Sequence, residues 1–271
     1  VDQEKIIAYY NKGIEKNRLN LDYFKLEGIR TREIISRFLD QENLKIADIG
    51  GGAGHYAFWL QSLGHRVRMV DLSPGNIELA NEFAARNGIS LSSCQVGDAR
   101  DLPFQDNEFD IVLLLGPLYH LTEKGDRIAA LREAGRVVKP GGMILTAFIS
   151  RYASLLDGFK RDLIRDERFE KILLSDLQSG VHENDTGNPE YFTTAYFHTP
   201  QQIQEEISEG GLKLQELLAV ESVGWLIDNI SQKEKDEKYR KKLENILRLV
   251  EGNSDLIAMS PHIIGVARKG R

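Results

Sequence analysis

Apolar positions along the chain switch repeatedly between short unbroken runs and three- or four-residue spacing, a rhythm that predicts strands alternating with helices. Leu44, Ile46 and Ile49 make a short strand. Gly50, Gly51, Gly52 and Gly54 then break it, and Ala57, Leu60 and Leu63 resume at helical spacing. Further apolar runs at residues 65–70, 91–96, 109–116 and 143–149 predict more strands. Between them, Ser73-Pro74 opens a helix with Ile77, Ala80 and Ala84 on one face, and Ile128, Leu131 and Val138 mark another that Pro140 stops. Thr199-Pro200 caps a later helix ended by Gly210-Gly211, and residues 212–221 and 263–268 read as strands. The pattern predicts an α/β, doubly wound parallel sheet.

The glycine turn presents unpaired helix N–H groups above the first strand, a place that suits a carboxylate or phosphate. Gly52-x-Gly54-x-x-Ala57, with Asp71 closing the second strand, fits a dinucleotide fingerprint and admits an NAD(P)-dependent oxidoreductase. Other blocks pull away from that reading. Asp48 precedes the glycines as Asp-x-Gly-x-Gly-x-Gly, and Gly97-Asp98-Ala99 follows the third strand. Asp101-Leu102-Pro103-Phe104, the run FDIVLLLG and the turn Lys139-Pro140-Gly141-Gly142 come after it.

This ordered set resembles the class I S-adenosylmethionine (SAM) dependent methyltransferases, closely over residues 44–149 and more loosely towards the end. The resemblance implies a Rossmann-like seven-stranded sheet with one antiparallel strand in its last pair, and SAM as cofactor. It assigns Asp71 to the ribose hydroxyls, Asp98 to the adenine amino group, and Asp48, Gly50, Gly52 and Gly54 to the methionine half. Gly51 fills a position that varies in the family. Leu72, Ala99 and Leu115 would border the cofactor, His55 would neighbour its carboxylate, and Tyr9, Tyr10 and Arg30 of an N-terminal helical layer are candidates to fold over it. Residues 116–120 end the fourth strand, making Tyr119 and His120 the candidates for acceptor positioning and proton removal.

Three segments outside the core are expected to set the acceptor: a helical layer over residues 1–43, an insertion over 151–198, and a helical insert over 222–255. The core itself occupies 44–150 and resumes over 199–271. In the N-terminal layer, Ile6, Ile7, Tyr10 and Ile14 form one stripe, and Ile34, Ile35, Phe38 and Leu39 another. In the insertion, Tyr152, Leu155, Leu156, Phe159 and Leu163 predict one helical face; Phe169, Ile172, Leu173 and Leu177 predict another. With the aromatic run at 191–198 they suggest a lid, the plainer alternative being a helical pair packed on the sheet. The KEKDEKYRKK run interleaves acids and bases and reads as a solvated helix face.

Composition narrows the partners. A net charge of −6 gives no footprint for nucleic acid or an anionic membrane, and no apolar run is long enough to span a bilayer, so a small-molecule acceptor and a cytoplasmic location are expected. The single cysteine, Cys94, is assigned to packing, and the six histidines show no metal-ligand spacing, so no metal is expected. Gly116-Pro117-Leu118-Tyr119 lacks the Asn/Asp-Pro-Pro-aromatic run of amino-group methyltransferases. A non-catalytic nucleotide-binding module is the remaining alternative.

Overall fold

The computed structural model describes residues 24–269. The first predicted stripe and the candidates Tyr9 and Tyr10 therefore lie outside the described residues. Five parallel strands, β1 (Lys45–Ile49), β2 (Arg66–Asp71), β3 (Ser93–Val96), β4 (Phe109–Leu114) and β5 (Val138–Ser150), lie in the order β3-β2-β1-β4-β5. Beyond β5 comes β9 (His262–Lys269), antiparallel both to β5 and to β8 (Leu212–Ala219) at the far edge. Those seven strands are the expected sheet.

Helices cover both faces, so the strands are buried on both sides. Ala47, Ile49, Val112 and Leu114 enter one core cluster, while Ile46, Ile111 and Leu113 enter the other. Alternate residues of one strand thus serve two cores, which is why these strands read as continuous apolar runs. The helices of this core are α1 (Lys25–Ser36), α2 (His55–Ser62), α3 (Pro74–Asn87), α4 (Pro117–His120), α5 (Lys124–Val137) and α8 (Pro200–Glu209). Both predicted caps form. Ser73 accepts from the Asn76 amide, and Thr199 and Gln202 make a reciprocal capping box.

Two expectations change. The Lys139–Gly142 turn is an irregularity inside the long β5, whose pairing shifts register between Phe109 and Ile111. A side chain at Gly142 would come within 2.7 Å of the Asp110 carbonyl, so the chain passes there only as glycine. Among the described residues the sheet also has nine strands, because residues 151–198 add β6 (Val181–His182) and β7 (Ala195–His198). Ile149 pairs with His262 of β9 and with Phe197 of β7. As a strand has two edges, β7 must lie on the edge of β5 that β4 leaves at Leu114.

The rest of that insertion is α6 (Ala153–Lys160) and α7 (Glu167–Ser179), with a small core of Phe169, Ile172, Leu173 and Tyr191. Leu156 is buried as predicted, but Phe159 and Tyr152 are exposed, so the predicted α6 stripe is only partly an inward face. The last insert carries α9 (Ile230–Lys233) and α10 (Glu237–Val250), where Lys241 and Glu237 pair at 2.7 Å on an exposed face. No helix among the described residues is long and apolar enough to cross a membrane.

Candidate cofactor and acceptor site

At the carboxyl end of β1 the backbone folds through left-handed conformations at Gly50, Gly52 and Gly54, with φ of +71°, +58° and +88°. A Cβ at Gly50 would strike the Pro117 ring at 2.5 Å. One at Gly51 would meet Met69 at 2.6 Å, and the space over Gly52 is open. The turn is therefore tight on its protein side and clear above Gly52, the form of a cradle for a ligand. A side chain at Gly51, which the resemblance assigns to a variable position, would have to displace Met69 and the Asp48 carboxylate.

Two buried carboxylates flank this cradle. Asp71 accepts from the Gly52 amide at 2.8 Å, the Ser73 amide at 2.9 Å and the Asn76 side chain at 3.0 Å. Burial pushes its pKa up against those three donors. An ionised carboxylate has about four acceptor positions, so room remains for a further donor. Asp48 is 1% exposed and its Oδ2 has no hydrogen-bond partner among the described residues. Burial, reinforced by the Asp71 charge and opposed by the Ala57 amide, raises its pKa to about 7. A cation delivered to this turn would relieve both groups. The Cys94 thiol on neighbouring β3 is raised to about 11 by burial and the same two charges, so it stays protonated.

Asp98 is turned onto Arg100, which grips both carboxylate oxygens, at 3.0 and 2.6 Å, and also binds Asp126 at 2.9 Å. Ala99 is buried, and Leu72 and Leu115 are half-buried. Arg30 requires a correction. Its guanidinium is fully buried and committed to Glu33, Glu251 and the Val220 carbonyl, so it ties α1 to the body of the protein. Two residues on, Arg32 reaches the exposed His55 at the start of α2, with 3.1 Å between Nη2 and Nε2, and lies 5.4 Å from the Trp59 ring centre. Its buried Nε has no partner among the described residues.

The turn after β4 touches the glycine cradle, since a Cβ at Gly116 would lie 3.0 Å from the Gly50 carbonyl and 3.9 Å from the Tyr119 hydroxyl. Beyond Tyr119 opens a cavity of about 500 Å³. Its apolar wall includes Phe24, Ile149, Phe169, Tyr191, Phe192 and Phe197. Tyr196, predicted to join them, alternates to the other side of β7, where Arg127 stacks on it at 3.9 Å. Polar groups on the wall include Asp157, Arg161, Glu221 and His262. The indole N–H of Trp225, another wall residue, is buried with no partner among the described residues.

His120 does not border this cavity. It is buried against Tyr119 and Phe192, its Nδ1 lies 3.2 Å from the Thr194 carbonyl, and burial lowers its pKa to about 4. As the carbonyl can only accept, Nδ1 carries the proton. A base so weak is ill matched to proton removal near neutrality.

Sequence reasoning missed Glu27, Glu221 and His262, which bring one oxygen or nitrogen each within 4.8 Å of one another. No local pattern pointed to them, because they meet only through the register of the last two strands, which sets Ala219 opposite Ile263. Glu221 accepts from His262 Nδ1 at 2.6 Å, from the Ser260 hydroxyl at 2.9 Å and from the His262 amide at 3.1 Å. The group is a hydrogen-bonded carboxylate–imidazole pair with a second acid beside it.

Residues 47–146 match the methyltransferase domain family. The chain is 34% identical over 129 residues to a ubiquinone biosynthesis O-methyltransferase of Methylocella silvestris, covering 48% of each protein. It is 31% identical over 173 residues to the uncharacterized methyltransferase YcgJ of Bacillus subtilis, covering 62% of this chain and 65% of that protein. The chain thus spans about half of the first relative and just under two thirds of the second. Among solved structures, a SAM-dependent methyltransferase of Methanosarcina mazei aligns with a TM-score of 0.60 at 19% identity, covering 87% of this chain and 96% of that one. That likeness is one of fold.

Proposed function

From the match of residues 47–146 to the methyltransferase domain family, we propose that the chain is a class I SAM-dependent methyltransferase that methylates a small, largely apolar acceptor held in the cavity beside Tyr119. The observation that carries this reading is the contact between two half-sites. The Gly116–Tyr119 turn packs on the glycine cradle on one side and borders the cavity on the other.

In this reading Asp71 holds the ribose hydroxyls and the Gly50–Gly54 turn lies along the methionine half, where the Asp48 and Asp71 charges favour a cation. His55, as expected, faces the carboxylate of that half together with Arg32, which takes from α1 the cofactor-contacting part expected of Arg30. Asp98, held in place by Arg100, takes the adenine amino group. When bound, SAM supplies a methyl carried on a positively charged sulfur and open to nucleophilic attack. The chain's task is alignment and exclusion of water, worth about 7–11 kcal/mol of barrier when a nucleophile is held in line. Tyr119 positions the acceptor, and Phe192 and Phe197 pack its apolar body. A relative named as an O-methyltransferase favours oxygen as the methylated atom.

Incubation with methyl-labelled SAM, a metabolite extract and a panel of phenols and amines tests the proposal. Label should appear in an apolar product. Binding of S-adenosylhomocysteine (SAH) without transfer to any acceptor would refute catalysis and favour a nucleotide-binding module.

A further inference from the structure

The cavity carries a built proton-accepting group that the turn at Tyr119-His120 does not supply. His262 opens β9 at the carboxyl edge of the sheet, directly across from Ile149 of β5, and both residues border the cavity. Its Nδ1 lies 2.6 Å from Glu221, and Glu221 is held in turn by the Ser260 hydroxyl and the His262 amide. A carboxylate fixed by three donors sets both the ring orientation and the tautomer: Nδ1 bears the proton, and Nε2 carries the lone pair. Glu27 from α1 stands 3.7 Å from the same nitrogen, so two carboxylates stabilise an imidazolium. Asp157, Arg161 and Glu190, the charged groups across the cavity, include an acid–base pair, Asp157 with Arg161 at 3.0 Å.

We propose that His262 is the general base of the reaction, positioned by Glu221, and that the acceptor is a weakly acidic hydroxyl on an apolar molecule; this rests on the methyl-transfer reading above. The hydroxyl O–H bond breaks and its proton passes to His262 Nε2. The electron pair left on oxygen forms the new bond to the methyl carbon, and the pair of the broken carbon–sulfur bond returns to sulfur. The products are a methyl ether, SAH and an imidazolium that returns its proton to solvent. An amine acceptor, already nucleophilic when neutral, has no need of this group.

The test follows the His262 ring by nitrogen–proton correlation spectroscopy in the full chain saturated with SAH. The expected result is the Nδ1–H tautomer with a pKa above the ordinary value of about 6.5, lowered by at least about one unit in Glu221→Gln, which keeps the shape of the carboxylate. With the best hydroxyl acceptor of the panel, His262→Gln should lose about 100-fold or more in kcat near neutrality, with partial recovery as rising pH ionises the acceptor, and with SAH affinity within about threefold of wild type. An Nε2–H tautomer, a pKa unmoved by Glu221→Gln, or a His262→Gln enzyme at near wild-type kcat would overturn the proposal. So would cobalt(II) d–d absorption that disappears in His262→Gln, which would make the cluster a metal site. If wild type transfers methyl to no acceptor, the methyl-transfer reading itself fails, while the tautomer and titration still judge the pair.

Discussion

Replacing Asp48 by Asn should change how stability depends on pH, and the structure fixes the sign. Asp48 is 1% exposed, its Oδ2 is unpartnered among the described residues, and its pKa stands at about 7 against an ordinary 3.8. Between those values the unfolded chain has shed the proton that the native protein still holds, so stability falls as pH rises through that window and the full penalty is present above pH 7. The difference is about 3 pK units, which at 1.36 kcal/mol per unit amounts to about 4 kcal/mol. Asn cannot ionise, and its carbonyl can still accept the Ala57 amide. Urea denaturation of both ligand-free proteins from pH 4.5 to 8.5 gives two stability curves. Subtracting them cancels every other titrating group except the neighbouring Asp71. The variant should gain on wild type by about 3 kcal/mol between the ends of the range, since about 1 kcal/mol of the penalty is already present at pH 4.5; parallel curves would show that Asp48 is not held neutral and would remove the argument for a charge-hungry cradle.

Three further outcomes follow from other parts of the molecule. Glu206 accepts two bonds from the buried Arg127 and one from His198, and these hold its pKa at about 2 against the effect of burial. Glu206→Ala leaves Arg127 buried without its partner and should cost about 3–5 kcal/mol in denaturant unfolding, whereas a loss under 1 kcal/mol would refute the pairing argument. His120→Ala should lower turnover by less than about 10-fold, and Tyr119→Phe by more than His120→Ala, in the label-transfer assay; a 100-fold loss at His120 would restore it as the base. Residues 151–198 form a packed wall with their own small core, so hydrogen exchange there should be largely protected before ligand is added; exchange that slows strongly only with SAH and acceptor would show a closing lid instead.

Much of the core was legible because period changes coincide with residues whose chemistry is local. The run Leu44 to Ala57 ends a strand, spends its glycines on positive φ and begins a helix, and each step depends on neighbours in sequence. What depended on distant packing was not legible. Arg30 and Arg32 differ by two positions, a rotation of about 200° around a helix, and only tertiary packing decides which one is buried against Glu251 and which reaches His55. β6 and β7 have two and four residues, too few to show a period, and they form because β5 runs on past the end of β4. Glu221 and His262 stand 41 positions apart and meet only when β8 and β9 pair. His120 sits at a suggestive place in the sequence, yet its burial, which weakens it as a base, is a property of the folded chain.

In the proposed reaction the cradle at the ends of β1 and β2 binds SAM through Asp71. Calorimetric titration of wild type and a folded Asp71→Ala variant with SAM, SAH and NADH tests it directly. One charge-assisted bond to the ribose, worth about 1.5–3 kcal/mol, corresponds to an affinity loss of at least about 10-fold. Wild type should bind SAM and SAH with no measurable binding of NADH, and Asp71→Ala should show that loss. Binding of NADH in preference to SAM, or SAH affinity in the variant within a few-fold of wild type, would contradict this assignment.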